Sequence, residues 1–286
     1  MILKLLVRHS LLLVLAIVLG GLAGATLVRF APGFDSDDAQ LDAGRSAESI
    51  EALRVGHAQE RQIVSYYGTY LKNLARGELG ESHTFRRPVR ELLSERVGVT
   101  WDFVSIGLLA GCGFGLLFAV AALYSNALDN LCSLLSGVFL SVPAAIAAIA
   151  ALVIEAPVWI CLAAVIFPRV FRYTRDLLSE AAAAPHVLAA RGRGVGPFGV
   201  MTRHILPSAM PQTMALLGIM VSTAMAADIP VEVLAGIPGI GQLAWQAASG
   251  RDLPVLITMT MLLGAISILA NALADLGAYA WRTSGV

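Results

Sequence analysis

Five histidines, three cysteines and two lysines are what this 286-residue chain offers to nucleophilic, metal or nucleotide chemistry. Their spacing excludes most of it. A phosphate-cradling GxxxxGK[ST] loop needs a lysine directly after a glycine, and neither Lys4 nor Lys72 has one. The chain therefore cannot hold ATP with a P-loop. It contains no HExxH pair of helical zinc ligands and no GxSxG nucleophile turn. His9, His57, His83, His186 and His204 are scattered and suggest no metal site; His9 and His204 flank apolar spans and are expected at a membrane interface. Cys112, Cys132 and Cys161 lie in apolar stretches without a CxxC pair and read as small core residues. No catalytic residue, metal or cofactor is expected in this chain.

What remains is chemistry of contact. Residues 180–207 read EAAAAPHVLAARGRGVGPFGVMTRHILP, a basic, glycine-rich elbow between two apolar stretches. Residues 181–184 and 187–190 have high helix propensity. Pro185 suits the first turn of a new helix and ends the old one. Gly192 and Gly194, flanking Arg193 and following Ala190 and Arg191, allow a sharp exit. Two readings are open: a loop whose arginines only enforce topology, or a short rigid lever gripped by a partner. Farther on, Glu232 precedes the turn IPGIG at 237–241, with Pro238, Gly239 and Gly241. That stretch either caps the preceding span or forms a mouth for a partner or cargo. Asp252, two residues before Pro254, can cap the start of the last span. Asn271, Asp275 and Tyr279 fall at i, i+4 and i+8, on one helix face, as a polar helix–helix seam or a substrate contact. Asp102, Asp228 and Asp275 are the few acids within apolar stretches and form no cluster at mid-depth, which weakens a gradient-driven carrier.

The elements that must position these residues are membrane helices. The composition is 57% hydrophobic and 14% charged, with mean hydropathy +0.74, against about 25% charged in soluble domains. The bilayer is thus the first partner. The zero net charge argues against nucleic acid. A span needs about 20 apolar residues, which predicts an all-α polytopic protein with about six transmembrane helices. The first, about 10–30, is read as retained; the rival reading is a signal peptide, because Ala23-Gly24-Ala25 has the form of a cleavage site. Residues 31–98 hold eleven acidic and nine basic side chains and are predicted to form a small external helical segment. Apolar residues recur there at helical spacing at Ile50 and Leu53, at Ile63, Tyr67, Tyr70, Leu71 and Leu74, and after Pro88. A core of five further spans is placed at 99–286, with helices at about 99–124, 131–154 (kinked at Pro143), 158–178, 205–227 and 255–281. A turn is expected at 125–130, the elbow at 179–204 and an external loop at 228–254. Six arginines between Arg169 and Arg203 face only Asp176 and Glu180, while Lys4, Arg8 and Arg282 mark the termini. The positive-inside rule then puts both termini and the elbow in the cytoplasm.

Five fragments in one order resemble the permease subunits of bacterial ABC importers of the peptide/nickel class, most of all the B-type subunit of dipeptide and oligopeptide systems. They are RGELGES with RRPVRELLSERVGVTWD, EAA with AARGRG and His204, VEVLAGIPGIGQL, RDLPVL, and NALADLGAY. The chain departs from that pattern in the short Glu155-Ala156-Pro157 link, in Gly192 and Arg193, in Asp102, and in its ending soon after Arg282. The resemblance implies a type I ABC importer permease fold in the inner membrane. The chain would be half of a translocation path for peptides or a related solute, completed by a second homologous permease. Two separate ATP-binding subunits would carry the ATP and magnesium, and an extracytoplasmic solute-binding protein would deliver cargo. It further implies that Glu180, Ala181, Ala190, Arg191, Gly192, Arg193 and Gly194 couple to the ATPases. Glu232, Pro238, Gly239, Gly241 and Asp252 would sit on the binding-protein side. A secondary carrier or channel acting alone is the alternative, and a non-transporting scaffold or sensor is a third.

Overall fold

The computed structural model of the chain describes residues 2–30 and 63–283. The expected helical pattern at Ile50 and Leu53 lies outside the described residues. Apart from an isolated bridge between Glu81 and Pro88, regular structure among the described residues is helical. The helices are α1 (Ile2–Phe30), α2 (Ile63–Leu74), α3 (Val89–Ala122), α4 (Asn126–Ser141), α5 (Ala144–Val153) and α6 (Trp159–Ala182). They continue with α7 (Pro185–Gly192), α8 (Pro197–Val200), α9 (Leu206–Ala235), α10 (Ile240–Ser249) and α11 (Leu253–Thr283), with a π turn at Met201–Ile205 between α8 and α9.

Several boundaries follow from local chemistry. Ser125 caps α4, its hydroxyl accepting from the Leu128 amide at 3.3 Å, so most of the turn expected at 125–130 is already helix. Val142 is extended because a proline follows it. The predicted kinked span at 131–154 is therefore two helices, α4 and α5, bent by 101° across Pro143. A proline lacks the N–H for the α-helical ladder, and the π turn before Pro207 absorbs that loss, the Leu206 amide reaching Met201 O.

Two differences from the sequence reading concern length. A helix from Pro88 and a span from 99 were expected separately, but α3 runs unbroken from Val89 to Ala122. The expected external loop at 228–254 is largely helical: α9 continues through Pro230 to Ala235, ends on left-handed Gly236 (φ 65°), and α10 occupies 240–249.

The chain divides into two compact units. The first comprises Met1–His9, Thr100–Ile237 and Ile266–Val286. One of its cores gathers Val104, Leu162, Ile166, Val170, Leu216 and Met220. A second gathers Phe171, Leu178, Val187, Val200, Met201 and Ile205 beneath the elbow. Gly107, Gly111 and Gly115 place α3 hard against α6: a Cβ at these positions would stand 2.7, 2.8 and 2.7 Å from Leu162, Ile166 and Val170. This is a small-residue seam at i, i+4 and i+8 that lets two backbones approach. Cys132 and Cys161 are buried as expected, and Cys112 is half-buried.

The second unit comprises Ser10–Val99 and Pro238–Ala265. Val89, Leu92, Ile240, Leu243, Val255 and Met259 form one core there. Tyr67 and Tyr70 pack with Leu253, Ile257 and Met261 in another. The Tyr67 hydroxyl donates to Ile17 O at 2.6 Å, and Tyr70 shares a 2.7 Å hydrogen bond with Thr258. Burial pushes the Tyr70 phenol above its ordinary value, so it stays a neutral hydrogen-bonding hydroxyl.

Among the described residues, four stretches are long and apolar enough to cross a bilayer: Val7–Gly24, Val89–Ala122, Pro197–Ala235 and Leu253–Thr283. The bent pair Asn126–Ser141 and Ala144–Val153 makes up to five. The expected span at 158–178 falls within α6, whose arginines keep it out of that set.

Candidate functional site

The elbow is built as a bracket. α6 ends at Ala182 with Ala183 as its C-cap, and Ala184 turns extended (φ −65°, ψ 143°) because Pro185 follows. Pro185 then opens α7 at its first position, where its missing N–H costs nothing. The exit is a Schellman close: Val195 N–H reaches Ala190 O at 3.2 Å and Gly194 N–H reaches Arg191 O at 3.0 Å. That geometry needs φ +81° at Gly194, a left-handed conformation costly for any side chain. Gly192 has an ordinary φ and is the last residue of α7.

One side of α7 is anchored and the other is open. Val187 and Ala190 are fully buried, and Ala181 is half-buried against the same core. Glu180, Arg191, Gly192, Arg193 and Gly194 are exposed. Leu188 is 54% exposed and Phe198 81% exposed. The His186 and His204 rings lie 6.4 Å apart, centroid to centroid, so His204 belongs to the elbow. A rigid base carrying exposed apolar and guanidinium groups is a surface suited to protein contact. Of these residues, Leu188 and Phe198 escape a sequence reading aimed at charges and glycines; the helical phase set by buried Val187 and Ala190 is the signal that turns Leu188 outward.

The residues expected at an outer mouth fall in both units. Glu232 is fully buried within α9 and accepts a hydrogen bond from the Thr100 hydroxyl of α3. Asp228, one turn earlier, is buried too, and one of its oxygens lacks a partner among the described residues. The two acids lie one turn apart on one face of α9 because the helix continues through Pro230. Asp102 stays exposed.

Asp252 belongs to the second unit and is fully buried. Its carboxylate accepts from Ser82 Oγ at 2.5 Å, from the Thr84 amide at 3.0 Å and from the Val255 amide at 3.4 Å. It is thus both the cap of α11 and the tie holding the 80–88 turn. Gly250 permits the approach, since a Cβ there would stand 2.6 Å from Thr84 Oγ1. Gly239 is the extended N-cap of α10, Gly241 lies in its first turn and is buried, and Pro238 precedes them.

Asn271, Asp275 and Tyr279 do share a face of α11. The Asn271 carboxamide donates to Ser267 O at 2.8 Å, and its oxygen lies 3.0 Å from where a Gly218 Cβ would be. Asp275 Oδ2 stands 3.3 Å from His9 Nε2, so His9 is buried beside a carboxylate. Tyr279 is half-buried. Among the described residues no group of three or more His, Cys, Asp or Glu is placed to hold a metal ion.

A protein named as a peptide permease in Brucella suis biovar 1 (strain 1330) is 27% identical over 97% of this chain and 95% of its own length. One named as a peptide transport system permease in Brucella abortus (strain 2308) is 26% identical over 87% of this chain and 88% of its own. The glutathione transport system permease protein GsiC of Pectobacterium atrosepticum is 26% identical with the same coverage. Among solved structures, a chain of the MetNI methionine ABC transporter in an inward-facing conformation superposes with a TM-score of 0.57. It is 20% identical, and the match covers 67% of this chain and 97% of that one; it shares the fold. Residues 111–281, which hold the elbow, α9 and the polar face of α11, match the binding-protein-dependent transport system inner membrane component, and the chain belongs to that family.

Proposed function

We propose that the chain is the transmembrane permease subunit of an ATP-driven importer for peptides or a related small solute. In this reading it forms half of the translocation path and breaks no bonds itself. A second homologous permease completes the path, two ATP-binding subunits bind ATP and magnesium, and a solute-binding protein supplies cargo. Both termini and the elbow face the cytoplasm. The observation that carries the reading is the bracket at 184–198. Its buried side, Val187 and Ala190, makes it one piece with α6 and the π turn, while Leu188, Arg191, Arg193 and Phe198 are offered outward. A lever fixed at its base and gripped at its tip transmits a rigid-body displacement to the helices that carry it. The peptide and glutathione permeases among the relatives support the cargo class.

The test is purification of the tagged chain from its native membrane. Co-elution of two nucleotide-binding subunits and a second permease, with uptake into proteoliposomes only when ATP is inside the importer's motor compartment, is the expected result. Gradient-driven uptake by the chain alone would overturn it in favour of a carrier, for which the buried Asp228 and Glu232 pair would be the natural coupling site.

A further inference from the structure

Helix α6 presents an unusual exposed surface. Between Cys161 and Glu180 its exposed residues are Arg169, Arg172, Tyr173, Asp176, Ser179 and Glu180, all polar. At about 100° per residue they form one stripe covering roughly a third of the circumference and running about 16 Å along the axis. Neighbouring helices of the same unit behave oppositely. The exposed residues of α4 from Leu131 to Leu140 are all apolar, as are those of α3 at Ile106, Leu109, Phe114 and Leu117. Faces of that kind suit lipid or an apolar partner; the face of α6 suits neither. Arg169 lies ten residues from Trp159, about 15 Å along the helix and so near half the hydrocarbon thickness if Trp159 marks the far interface. A guanidinium at that depth is confined to protein interiors or water-lined paths.

The charge along the stripe is also unevenly satisfied. Arg175 holds Asp129 at 2.6 Å and Asp176 at 3.0 Å. Arg172 donates to the backbone oxygen of Ser133 at 3.4 Å, and Arg169 donates to Val165 O. Carbonyl dipoles leave the net charge of these two guanidiniums in place and leave further N–H donors open. Their fork geometry matches a carboxylate.

We propose that the polar stripe of α6 borders a water-filled path, and that Arg169 and Arg172 receive the carboxylate of the cargo passing along it. This rests on the importer reading above and adds the residues and ligand chemistry it lacks. The test needs no knowledge of the cargo. Cys112, Cys132 and Cys161 are replaced by alanine, and Tyr173→Cys serves as reporter in the full chain, with whatever subunits accompany it, in lipid nanodiscs. Ser179→Cys on the same stripe is the second reporter, and Leu134→Cys on the apolar face of α4 is the lipid control. Two membrane-impermeant methanethiosulfonates, one anionic (sulfonatoethyl) and one cationic (trimethylammonium-ethyl), are compared, each rate divided by that for a free thiol in solution. Labelling needs a hydrated thiolate, so the stripe reporters should react and Leu134→Cys should not. The Tyr173→Cys ratio should favour the anion by about tenfold and fall toward one in Arg169→Gln/Arg172→Gln. Stripe reporters as inert as Leu134→Cys, an anion preference absent from Tyr173→Cys, or one unchanged by the double substitution would each overturn the proposal. Inert reporters in a chain that still co-purifies with ATPase subunits would leave the importer standing. Reactive, anion-selective reporters in a chain that recruits none would remove the importer and keep the path.

Discussion

Asp252 is the residue where two distant stretches of sequence become one structure. It follows Arg251, held at φ 54°, and precedes the first turn of α11. With one carboxylate it satisfies the Val255 amide of that turn, the Ser82 hydroxyl and the Thr84 amide. Ser82 in turn accepts from the Phe85 amide at 2.9 Å. Removing the carboxylate leaves buried donors without partners, so Asp252→Ala should cost about 3 kcal/mol. A thermal melt of the purified protein should show it, with Asp252→Asn intermediate; an unchanged melting temperature for the alanine variant would refute the tie. The capping half of this role is legible in sequence, since an aspartate ahead of Leu-Pro is a helix-start signal. The tie to Ser82 is not, because the partners stand 170 residues apart and no local pattern relates them. Gly194 works at the same scale through its backbone alone. Gly194→Val forces a branched side chain to φ +81°, costing about 1–2 kcal/mol, enough to reshape the exit of α7 without unfolding the chain. Such a variant should reach the membrane at normal abundance, and ATP hydrolysis in the complex should continue without uptake. Normal uptake would separate the elbow from coupling.

At the scale of elements, the contact of α3 with α6 is the sharpest case. Gly107, Gly111 and Gly115 remove the side chains that would hold the two backbones apart. Gly111→Leu puts its Cβ 2.8 Å from Ile166 in a helix with no flexible atom to yield, and overpacking of this kind costs about 1–3 kcal/mol or more. Gly113, two residues away, meets nothing within 4 Å. Gly113→Leu should therefore leave thermal stability and membrane abundance close to the parent while Gly111→Leu lowers both; equal effects would mean the seam does not carry the packing. The spacing is readable as a GxxxG repeat, although a reading led by charge and hydropathy passes over it. Other elements are readable only in part. Pro185, Gly194 and the alanine runs predict α7 correctly because turn and cap chemistry is local. Pro230, Asp228 and Glu232 predict a loop where α9 continues, because burial against Thr100 of α3 outweighs one lost backbone hydrogen bond. Hydropathy alone also splits α3 near residue 98, since its first turns are polar on the faces that avoid Leu92 and Val89.

For the whole molecule, the number of membrane crossings turns on the bent pair α4 and α5. α4 has 16 residues, about 24 Å, nearly the thickness of a hydrocarbon core, whereas the 10 residues of α5 amount to about 15 Å. A bend of 101° lets α4 cross and α5 run close to the membrane plane on the far side. The Glu155-Ala156-Pro157 turn then lies opposite the Ser125 turn, and α6 returns. The alternative, in which the pair dips in and comes back, leaves the turn at 155–157 on the same side as Ser125 and reverses α6. That arrangement would place Arg175, Arg191, Arg193 and Arg203 on the outer face, against the bias that retains arginine in the cytoplasm. The cytoplasmic elbow proposed above therefore requires the crossing. A cysteine replacing Ala156 should react with an impermeant thiol reagent added outside intact cells, while one replacing Ala189 should react only after the membrane is opened. Both reacting from the outside would make the pair re-entrant. The elbow would then be out of reach of any cytoplasmic motor, and the importer mechanism would fail with it.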